Sequence, residues 1–485
     1  MISKRKNSRR EAAAGFLWRF GERICAQGTA FVISVLLARI LEPSVYGTVA
    51  LVTVFTAILQ VFVDSGMGNA LIQKKNADSL DFSSVFYFNI AACLILYAVM
   101  FAAAPLISAF YGMPELTSIV RVISLILIIS GVKNVQQAYV SRHLLFRKFF
   151  FATLGGTIGS GIIGICMAYR GFGVWSLVAQ HLINTAVDTL ILWLTVPWRP
   201  ERIFSVQRLR KLFSYGWKLL ASSLLDTGYN SLRSLLIGKM YTSADLAYYN
   251  RGQQLPSLIV TNINTSIDSV LFPAMSREQD DRGRVRNMTR RAIQTSTYIM
   301  APLMIGLAVC SETLVRLVLT EKWLPCVPFL AIYCIAFMFY PVHTANLNAI
   351  KAMGRSDLFL KLEIAKKTIS VLVILITVRI SVMAMAWSVL ALSIVGQIIN
   401  SMPNRKLLRY GYEDQLMDIL PGIALALFMG FCIRPLPGLG LGDTATLALQ
   451  ILLGAAVYLA GSAVLRLEAF RYLISAVKAF RSREQ

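Results

Sequence analysis

The sequence is poor in charged residues, in cysteine and in histidine for its length. Only 15% of its 485 residues are Asp, Glu, Lys or Arg, against about 25% in ordinary soluble domains. The seven cysteines include no C-x-x-C pair, and the three histidines have no metal-ligand spacing to them. The sequence also lacks the G-x-x-x-x-G-K-[ST] motif of a phosphate-binding loop. These absences argue against a soluble globular domain, a metal site and direct use of ATP, and we expect no cofactor.

Apolar side chains are abundant instead and make up 56% of the sequence. Windows of roughly 20 apolar residues, long enough to cross about 30 Å of hydrocarbon as a helix, recur along the whole chain. The predicted fold class is therefore an all-α polytopic membrane protein with about 14 transmembrane helices. The predicted spans lie near residues 16–41, 46–70, 82–110, 116–138, 150–169, 173–197, 214–238, 252–275, 293–319, 326–350, 362–380, 382–402, 418–434 and 444–465.

Positive charge is distributed unevenly over the connections between these spans. The formal net charge is +23, and the basic residues lie in the terminal tails and in every second connection, such as 199–211, 277–291 and 405–409. Basic residues accumulate in the cytoplasmic connections of membrane proteins, so both termini are predicted to be cytoplasmic. The charge then serves topology and attraction to anionic membrane lipids, and we expect no nucleic-acid partner.

The first half of the chain is partly repeated in the second half. The stretch L-L-A-R-I-L-E-P-S-V-Y-G at 36–47 aligns with L-I-G-K-M-Y-T-S-A-D-L-A at 236–247, and 63–71 aligns with 267–275. Six spans separate the copies, which keeps both in the same orientation and predicts a parallel repeat of two six-helix bundles. The predicted domains are an N-terminal bundle at 1–197, an amphipathic cytoplasmic linker at 198–213, a second bundle at 214–403, and two extra helices with a basic tail at 404–485.

These features together resemble a known family of membrane transporters. The opening G-x-x-W-x-F-G-E-R-x-x-x-Q-x-x-x-F at 15–31, the stretch at 36–47 and the descending V-D-S-G-M-G-N-A-L-I-Q at 63–73 are similar to the polysaccharide transporter family. The division into six, six and two spans fits the same family. It contains the Wzx-type oligosaccharide flippases of the multidrug/oligosaccharidyl-lipid/polysaccharide exporter superfamily, and the chain resembles its lipopolysaccharide and colanic-acid-exporter-like branch.

The resemblance implies a transporter rather than an enzyme. It implies a multi-pass protein of the bacterial inner membrane, a flippase that moves undecaprenyl-pyrophosphate-linked oligosaccharide repeat units by alternating access. The exported repeat units would be used to build a surface polysaccharide such as O-antigen or exopolysaccharide. The partners implied are this lipid-linked oligosaccharide, membrane lipids, and the polysaccharide polymerase and chain-length machinery.

Two other functions stay open at this point. A cation-coupled multidrug exporter of the same superfamily needs a mainly acidic or aromatic cavity. The basic residues in the spans argue against this function, whereas the acidic residues in the spans keep it open. A membrane glycosyltransferase or O-antigen polymerase usually carries catalytic Arg, His or Asp on a sizeable extracytoplasmic loop. The predicted outer loops are short, and the internal repeat has no explanation in that alternative.

Polar residues inside the spans are the candidate substrate-binding groups, because an ionised side chain at the centre of a membrane helix costs at least about 2.5 to 3.5 kcal/mol. Guanidinium groups suit the pyrophosphate, and amides and hydroxyls suit the sugars. Arg19 also fits an anchor that reaches the head groups, and Asp226 with Arg233 also fits an internal salt bridge. The candidates are Arg19, Arg23 and Gln27 in the first span and Asp226, Asn230 and Arg233 in the seventh.

A second group of residues is predicted to gate the transporter or to bind a coupling ion, H⁺ or Na⁺. Asp64 and Asp268 occupy matched positions in the repeat, where they either pair with the basic loops that follow or form a cytoplasmic gate. His181 and Asp188 share a face of the sixth span, where helix packing is the alternative role. Lys133, near the cytoplasmic end of the fourth span, is expected to extend to the head groups.

The run G-G-T-I-G-S-G-I-I-G at 155–164 is rich in glycine but lies in the middle of a span. It lacks the Gly-Lys-Ser/Thr ending of a phosphate loop, whereas Gly155 and Gly159 have the GxxxG spacing of closely packed membrane helices. The run is therefore predicted to pack against a neighbouring helix.

Overall fold

A computed structural model of the chain describes residues 21, 25–64, 67–74 and 76–484. Within that part every regular element is an α-helix or a short 3-10 helix, which confirms the all-α fold class. The chain folds into two compact units, Met1–Ala247 and Tyr248–Gln485. The predicted domain boundaries come from the sequence repeat and not from contacts within the structure. The two units therefore do not test them, and they stay a prediction.

Unit 1 consists of the first nine helices. They are α1 (Cys25–Ile40), α2 (Pro43–Asp64), α3 (Met67–Gln73), α4 (Ser79–Tyr111), α5 (Leu116–Ile123), α6 (Leu125–Arg142), α7 (Phe146–Tyr169), α8 (Val174–Thr195) and α9 (Val206–Met240). Helix α10 (Ser243–Arg277) begins in this unit and continues into the next.

Unit 2 contains most of α10 and the remaining helices. They are α11 (Arg282–Val309), α12 (Ser311–Val318), a 3-10 helix (Glu321–Cys326), α13 (Val327–Met338), α14 (Tyr340–Ala352), α15 (Ser356–Thr377), α16 (Val382–Leu407), α17 (Tyr412–Ile433), a 3-10 helix (Leu436–Leu439), α18 (Asp443–Val464) and α19 (Glu468–Glu484).

Each of the fourteen predicted spans overlaps a helix, but the number fourteen is not confirmed. In the described residues, ten helical segments are long and apolar enough to cross a membrane. The described part of the first span, α1, is too short for that criterion, and α9, α10 and α15 are not among the ten. Helices α9 and α10 combine great length with many polar residues, a composition that suits contact with water or protein better than contact with lipid.

A charge cluster joins the start of α4 to α3 and α9. Asp78 caps α4: its side chain accepts from the backbone N–H of Asp81, and Asp81 accepts from the backbone N–H of Asp78 in return. The fully buried Asp81 also pairs with Lys74 at 2.5 Å and with Arg208 at 3.4 Å. Burial opposes ionisation of Asp78, but the Asp81 N–H and the Arg208 guanidinium outweigh it and lower the pKa of that carboxyl. The carboxylates of Asp78 and Asp81 therefore hold together the start of α4, the residue that follows α3 and the start of α9.

Small residues on α7 allow close contact with α8, as the glycine run predicted. The buried stripe repeats every four residues and comprises Ala152, Gly156, Ser160, Gly164 and Ala168. A Cβ on Gly156 would lie 2.9 Å from the backbone oxygen of Asn184 on α8. Of the predicted GxxxG pair, Gly155 also faces α8, since a Cβ there would lie 2.6 Å from Ile191 Cδ1, whereas a Cβ on Gly159 would meet nothing within 4 Å among the described residues. Helix packing selects Gly156 and Gly164 for this contact.

Candidate functional site

A cluster of amides and charges lies inside unit 1 between helices α2, α4, α6 and α8. We call it the unit 1 polar cluster. It consists of Gln60, Asp64, Asn89, Lys133, Asn134 and Asp188. Two of the predicted gate or coupling residues, Asp64 and Asp188, belong to it.

Asn134 of α6 is the central residue of this cluster. Its Oδ1 accepts a hydrogen bond from Asn89 Nδ2 at 3.1 Å, and its Nδ2 donates to Asp64 Oδ1 at 3.5 Å. Asp64, at the end of α2, also accepts from Gln60 Nε2 at 2.9 Å. Asn89 and Asn134 are only 2% and 6% exposed. Buried amides that bond across helices in this way hold the helices in register, and Asp64, which is itself exposed, accepts from one amide of α2 and one of α6.

Lys133 and Asp188 form an ion pair between α6 and α8. Lys133 Nζ lies 2.9 Å from Asp188 Oδ2, and the two side chains are 16% and 13% exposed. The expectation that Lys133 extends to the head groups is therefore wrong, because a carboxylate on the neighbouring helix offers the ammonium a partner within the protein. Asp188 thus joins two helices, which is the helix-packing role that the sequence offered as the alternative to ion coupling.

His181 lies about two helical turns before Asp188 on α8 and is exposed. Between them, Asn184 donates from Nδ2 to Ser160 Oγ of α7 at 3.4 Å. The polar residues that share a face of α8 in the sequence thus contact two different neighbours, α6 and α7. A role of His181 in gating or ion coupling stays a prediction.

Helix α9 carries the second predicted set of substrate-binding residues on one face. Asp226, Asn230 and Arg233 are spaced by four and three residues, so they follow one another along the same side of the helix. Asp226 and Asn230 are exposed and Arg233 is half-buried. Gln27 on α1 is exposed as well, whereas Arg19 and Arg23 lie outside the described residues.

Helix α10 carries a third polar stretch, which the sequence analysis largely missed. Its middle reads T-N-I-N-T-S-I-D-S over 261–269, and Asn262, Thr265 and Ser266 are exposed there. Thr265 Oγ1 and Ser266 Oγ donate to carbonyls one turn earlier on their own helix, at 2.7 and 2.9 Å. The signal was visible as a run of hydroxyl and amide residues inside a predicted span.

Asp268 lies at the end of that stretch and pairs with a basic residue of α14. Lys351 Nζ is 3.6 Å from Asp268 Oδ1, and the two side chains are 33% and 52% exposed. The same ammonium lies 5.3 Å from the ring centroid of Phe272. Lys351 lies in the last turn of α14 and not in the basic loop that follows α10, so the pairing with that loop and the gating role of Asp268 both stay predictions.

Unit 2 also contains a cavity of 810 Å³ bordered by α11, α17, α18 and α19. At its polar side Arg290 makes a two-pronged contact with Asp418, 2.8 Å at the closest, and reaches Glu468 at 3.3 Å. Tyr410 Oη donates to the same Asp418 carboxylate at 2.7 Å. In the described residues no group of three or more His, Cys, Asp or Glu could hold a metal ion.

Comparison with known proteins places these features in a family. The family model "Polysaccharide biosynthesis protein" matches residues 36–328. The chain is 25% identical to the teichuronic acid biosynthesis protein TuaB of Bacillus subtilis over 306 residues, which are 62% of this chain and 63% of that protein. It is 23% identical to the lipopolysaccharide biosynthesis protein WzxC of Escherichia coli over 360 residues, 74% of this chain and 73% of that one.

Among solved structures, the chain resembles the lipid II flippase MurJ with a TM-score of 0.73 and 16% identity, over 95% of this chain and 100% of that one. At this identity the likeness shows the fold. The matched family model covers more than half of the sequence, including the stretches at 36–47 and 63–73 that carry the resemblance. The chain is thus a multi-pass membrane protein that belongs to the polysaccharide biosynthesis protein family.

Proposed function

We propose that this chain is a flippase that moves polyprenyl-pyrophosphate-linked oligosaccharide units across the bacterial inner membrane by alternating access. Two comparisons support the proposal. The family model and the relatives concern the synthesis of surface polysaccharides, and the fold is that of a protein named as a flippase for a lipid-linked precursor. Because the alignment spans only 63% of the length of TuaB, the activity of the whole chain rests on this proposal.

The observation that carries the proposal is the exposed polar face on each of the long helices α9 and α10. Asp226 and Asn230 on α9 and Asn262 and Thr265 on α10 are exposed in the middle of helices that lie among ten apolar spans. Polar groups at membrane depth are stable only where they contact water, protein or a polar ligand. A hydrophilic head group that crosses the membrane needs such a surface, while its polyprenyl tail stays in lipid.

Each residue type has a role that its chemistry suits. Arg233 offers a guanidinium for the pyrophosphate, since planar guanidinium groups bind phosphate oxygens with two parallel hydrogen bonds. Asn230 and the α10 hydroxyls offer donors and acceptors to sugars, which carry both. Arg19 and Arg23, in the sequence repeat partner of α9, stay candidates for the same role.

The orientation follows from charge. We place both termini and the basic connections in the cytoplasm, so that substrate is taken up from the inner leaflet and released on the periplasmic side. The polysaccharide polymerase and the chain-length machinery would then act on the released units. Asp64, Asp268, His181 and Asp188 stay candidates for gating or for binding H⁺ or Na⁺.

The test is reconstitution of the purified chain in vesicles that contain a fluorescent polyprenyl-pyrophosphate disaccharide in both leaflets. Flipping makes the outer and inner pools exchange, which a membrane-impermeant quencher measures. We expect exchange to be fast with the wild-type chain and absent with Arg233→Glu, because a carboxylate repels the pyrophosphate.

The matched control is Arg316→Gln, which removes an exposed arginine on α12 that pairs with Glu312 on its own helix at 3.0 Å. This variant should exchange substrate like the wild type. Exchange of a cationic dye but not of the lipid-linked sugar would support the multidrug exporter instead. New glycosidic bonds in the recovered lipid would support a glycosyltransferase.

A further inference from the structure

A row of hydrogen-bonded polar side chains runs along the contact between α14 and α16 in unit 2. We call it the polar seam. It comprises His343 and Asn346 on α14, Ser393, Asn400 and Asn404 on α16, and Gln415 at the start of α17. His343 is half-buried, and each of the other five is no more than 8% exposed. The sequence analysis assigned none of these residues a role.

The hydrogen-bond partners of His343 indicate which of its two ring nitrogens carries the hydrogen. Asn400 Nδ2, a donor, lies 3.0 Å from His343 Nδ1, so this ring nitrogen accepts. The other nitrogen, Nε2, lies 3.5 Å from Ser393 Oγ, whose own hydrogen is donated to the backbone oxygen of Ala336 at 2.9 Å. With the Asn400 amide in this orientation, Nε2 carries the hydrogen, and the ring is the neutral Nε2–H tautomer.

The same pocket can accommodate a second proton. Asn400 Oδ1 is buried and has no hydrogen-bond partner in the part of the chain that the structure describes, and the same is true there of Asn404 Oδ1 one turn later on α16. If the Asn400 amide turns over, its Oδ1 faces His343 Nδ1 and accepts a hydrogen bond from a protonated ring. Both protonation states of His343 thus have a partner at Nδ1 without any movement of the backbone.

The charged groups around the ring form a pair of their own. On α15, Lys366 is the charged group that acts on His343, and its ammonium donates to Glu363 Oε1 at 2.6 Å. From α16, Gly396 lets the ring lie against the helix, since a Cβ there would be 3.3 Å from His343 Cε1. In the described residues, α11 and α13 bring no further charge that acts on the ring. The repulsion between Lys366 and a protonated His343 is therefore reduced by Glu363.

The polar seam continues towards the cavity of unit 2. Asn346 and Gln415 exchange two hydrogen bonds at 2.8 and 2.9 Å, and Asn404 donates to Asn346 Oδ1 at 2.6 Å. Gln415 Nε2 reaches the backbone oxygen of Tyr410 at 3.4 Å, and Tyr410 donates to Asp418 at the edge of the 810 Å³ cavity. The hydrogen bonds fall into two groups, one around His343 and one around Asn346, and in the described residues no hydrogen bond joins the two.

We propose that His343 is a proton-binding site of unit 2 and that its protonation is coupled to transport. Hydronium transfers a proton to Nδ1 of the neutral ring and leaves water, and the Asn400 amide reverses, so that its Nδ2 gives up the hydrogen bond to Nδ1 and its Oδ1 accepts from Nδ1–H. The coupling rests on the proposed function, whereas proton binding at His343 does not. This site differs from Asp64, Asp268, His181 and Asp188, the coupling candidates that the sequence suggested.

Proton binding is tested directly on the full chain in lipid nanodiscs. The sequence contains three histidines, so His143→Gln with His181→Gln leaves one ring for ¹⁵N-histidine nuclear magnetic resonance. We expect an unprotonated Nδ1 and a protonated Nε2 at high pH, and protonation of Nδ1 as the pH falls. Asn400→Leu should abolish the fixed tautomer. An Nδ1–H tautomer, or a ring that does not titrate while the protein stays folded, would overturn the proposal.

Coupling is tested in the vesicle assay with and without an imposed pH gradient. We expect the gradient to change the exchange rate of the wild-type chain and of His143→Gln, a histidine outside the spans, and to have no effect on His343→Gln. Gradient-insensitive exchange by the wild type, or a gradient response that persists in His343→Gln, refutes the coupling. If the wild type exchanges no substrate at all, the proposed function fails, and the resonance experiment still decides whether His343 binds a proton.

Discussion

The ion pair between Lys133 and Asp188 offers a sharp test of whether a charge inside a span stabilises the fold or takes part in transport. Both side chains are mostly buried, at 16% and 13% exposure, and their charged atoms are 2.9 Å apart. Asp188→Asn leaves the ammonium of Lys133 buried without its counter-charge. Removing one partner of a buried pair costs about 3 to 5 kcal/mol, so this variant should be strongly destabilised.

The double variant Lys133→Met with Asp188→Leu removes both charges and keeps similar volumes. Replacement of a buried pair by apolar residues is often neutral or stabilising, so the double variant should recover most of the stability that Asp188→Asn loses. Denaturant titration of the purified variants in detergent micelles gives the two free-energy differences, and the double-mutant cycle isolates the coupling between the residues.

The vesicle assay on the double variant then separates the two roles. If the pair only joins α6 to α8, the double variant exchanges substrate at close to the wild-type rate. A stable double variant without exchange would show that Asp188 takes part in coupling or gating. Equal stability of Asp188→Asn and the wild type would refute the reasoning from burial altogether.

Three further predictions concern packing, pH and amide bonding. Gly156→Val should destabilise the contact between α7 and α8 by about 1 to 3 kcal/mol, whereas Gly159→Val should not, since a Cβ there meets nothing within 4 Å; thermal unfolding of both variants measures this. Arg355 lowers the pKa of Asp357 to about 2, so the stabilisation that the pair gives is complete above the unfolded pKa of about 3.9 and lost as the pH falls through 2. Hydrogen exchange in the first turn of α15 should therefore differ between the wild type and Asp357→Asn by a constant amount from pH 7 to 5, and this difference should shrink towards pH 2. Asn134→Leu should cost about 1 to 3 kcal/mol because it leaves the buried Asn89 amide without the acceptor it uses here, and a cost below 0.5 kcal/mol in denaturant titration would contradict the central position of this amide.

Most of the fold was predictable from the sequence because its main signal is the length of apolar segments. Each predicted span overlaps a helix, and the small residues of α7 do pack against α8. The register of that packing was not predictable from spacing alone. Gly155, Gly156 and Gly159 all belong to small-residue patterns, and the rotation of α7 about its axis turns Gly155 and Gly156 towards α8 but not Gly159.

Partners in the candidate site were harder to predict, since they lie on different helices. Asp64 and Asp188 were identified as polar residues at membrane depth, but their partners Asn134 and Lys133 come from α6, and helix order along the chain does not fix which faces meet. Lys133 was misinterpreted for this reason. A lysine near the end of a span fits an anchor at the head groups as long as no carboxylate is known to lie next to it.

The polar residues inside the spans now fall into two groups with different physical roles. In the unit 1 polar cluster and in the polar seam, amides and charges are bonded to each other across helices, so they cost little in the membrane and hold neighbouring helices together. On α10, Thr265 and Ser266 donate only to carbonyls of their own helix and remain exposed. Such bonds satisfy the hydroxyl hydrogens, and within the described residues they join α10 to no neighbouring helix. Lipid is a poor surrounding for a row of exposed oxygens and amides, which leaves water or a polar ligand as their counterpart. For the same reason the exposed faces of α9 and α10, rather than the buried clusters, are where substitutions should change the choice of substrate without loss of stability.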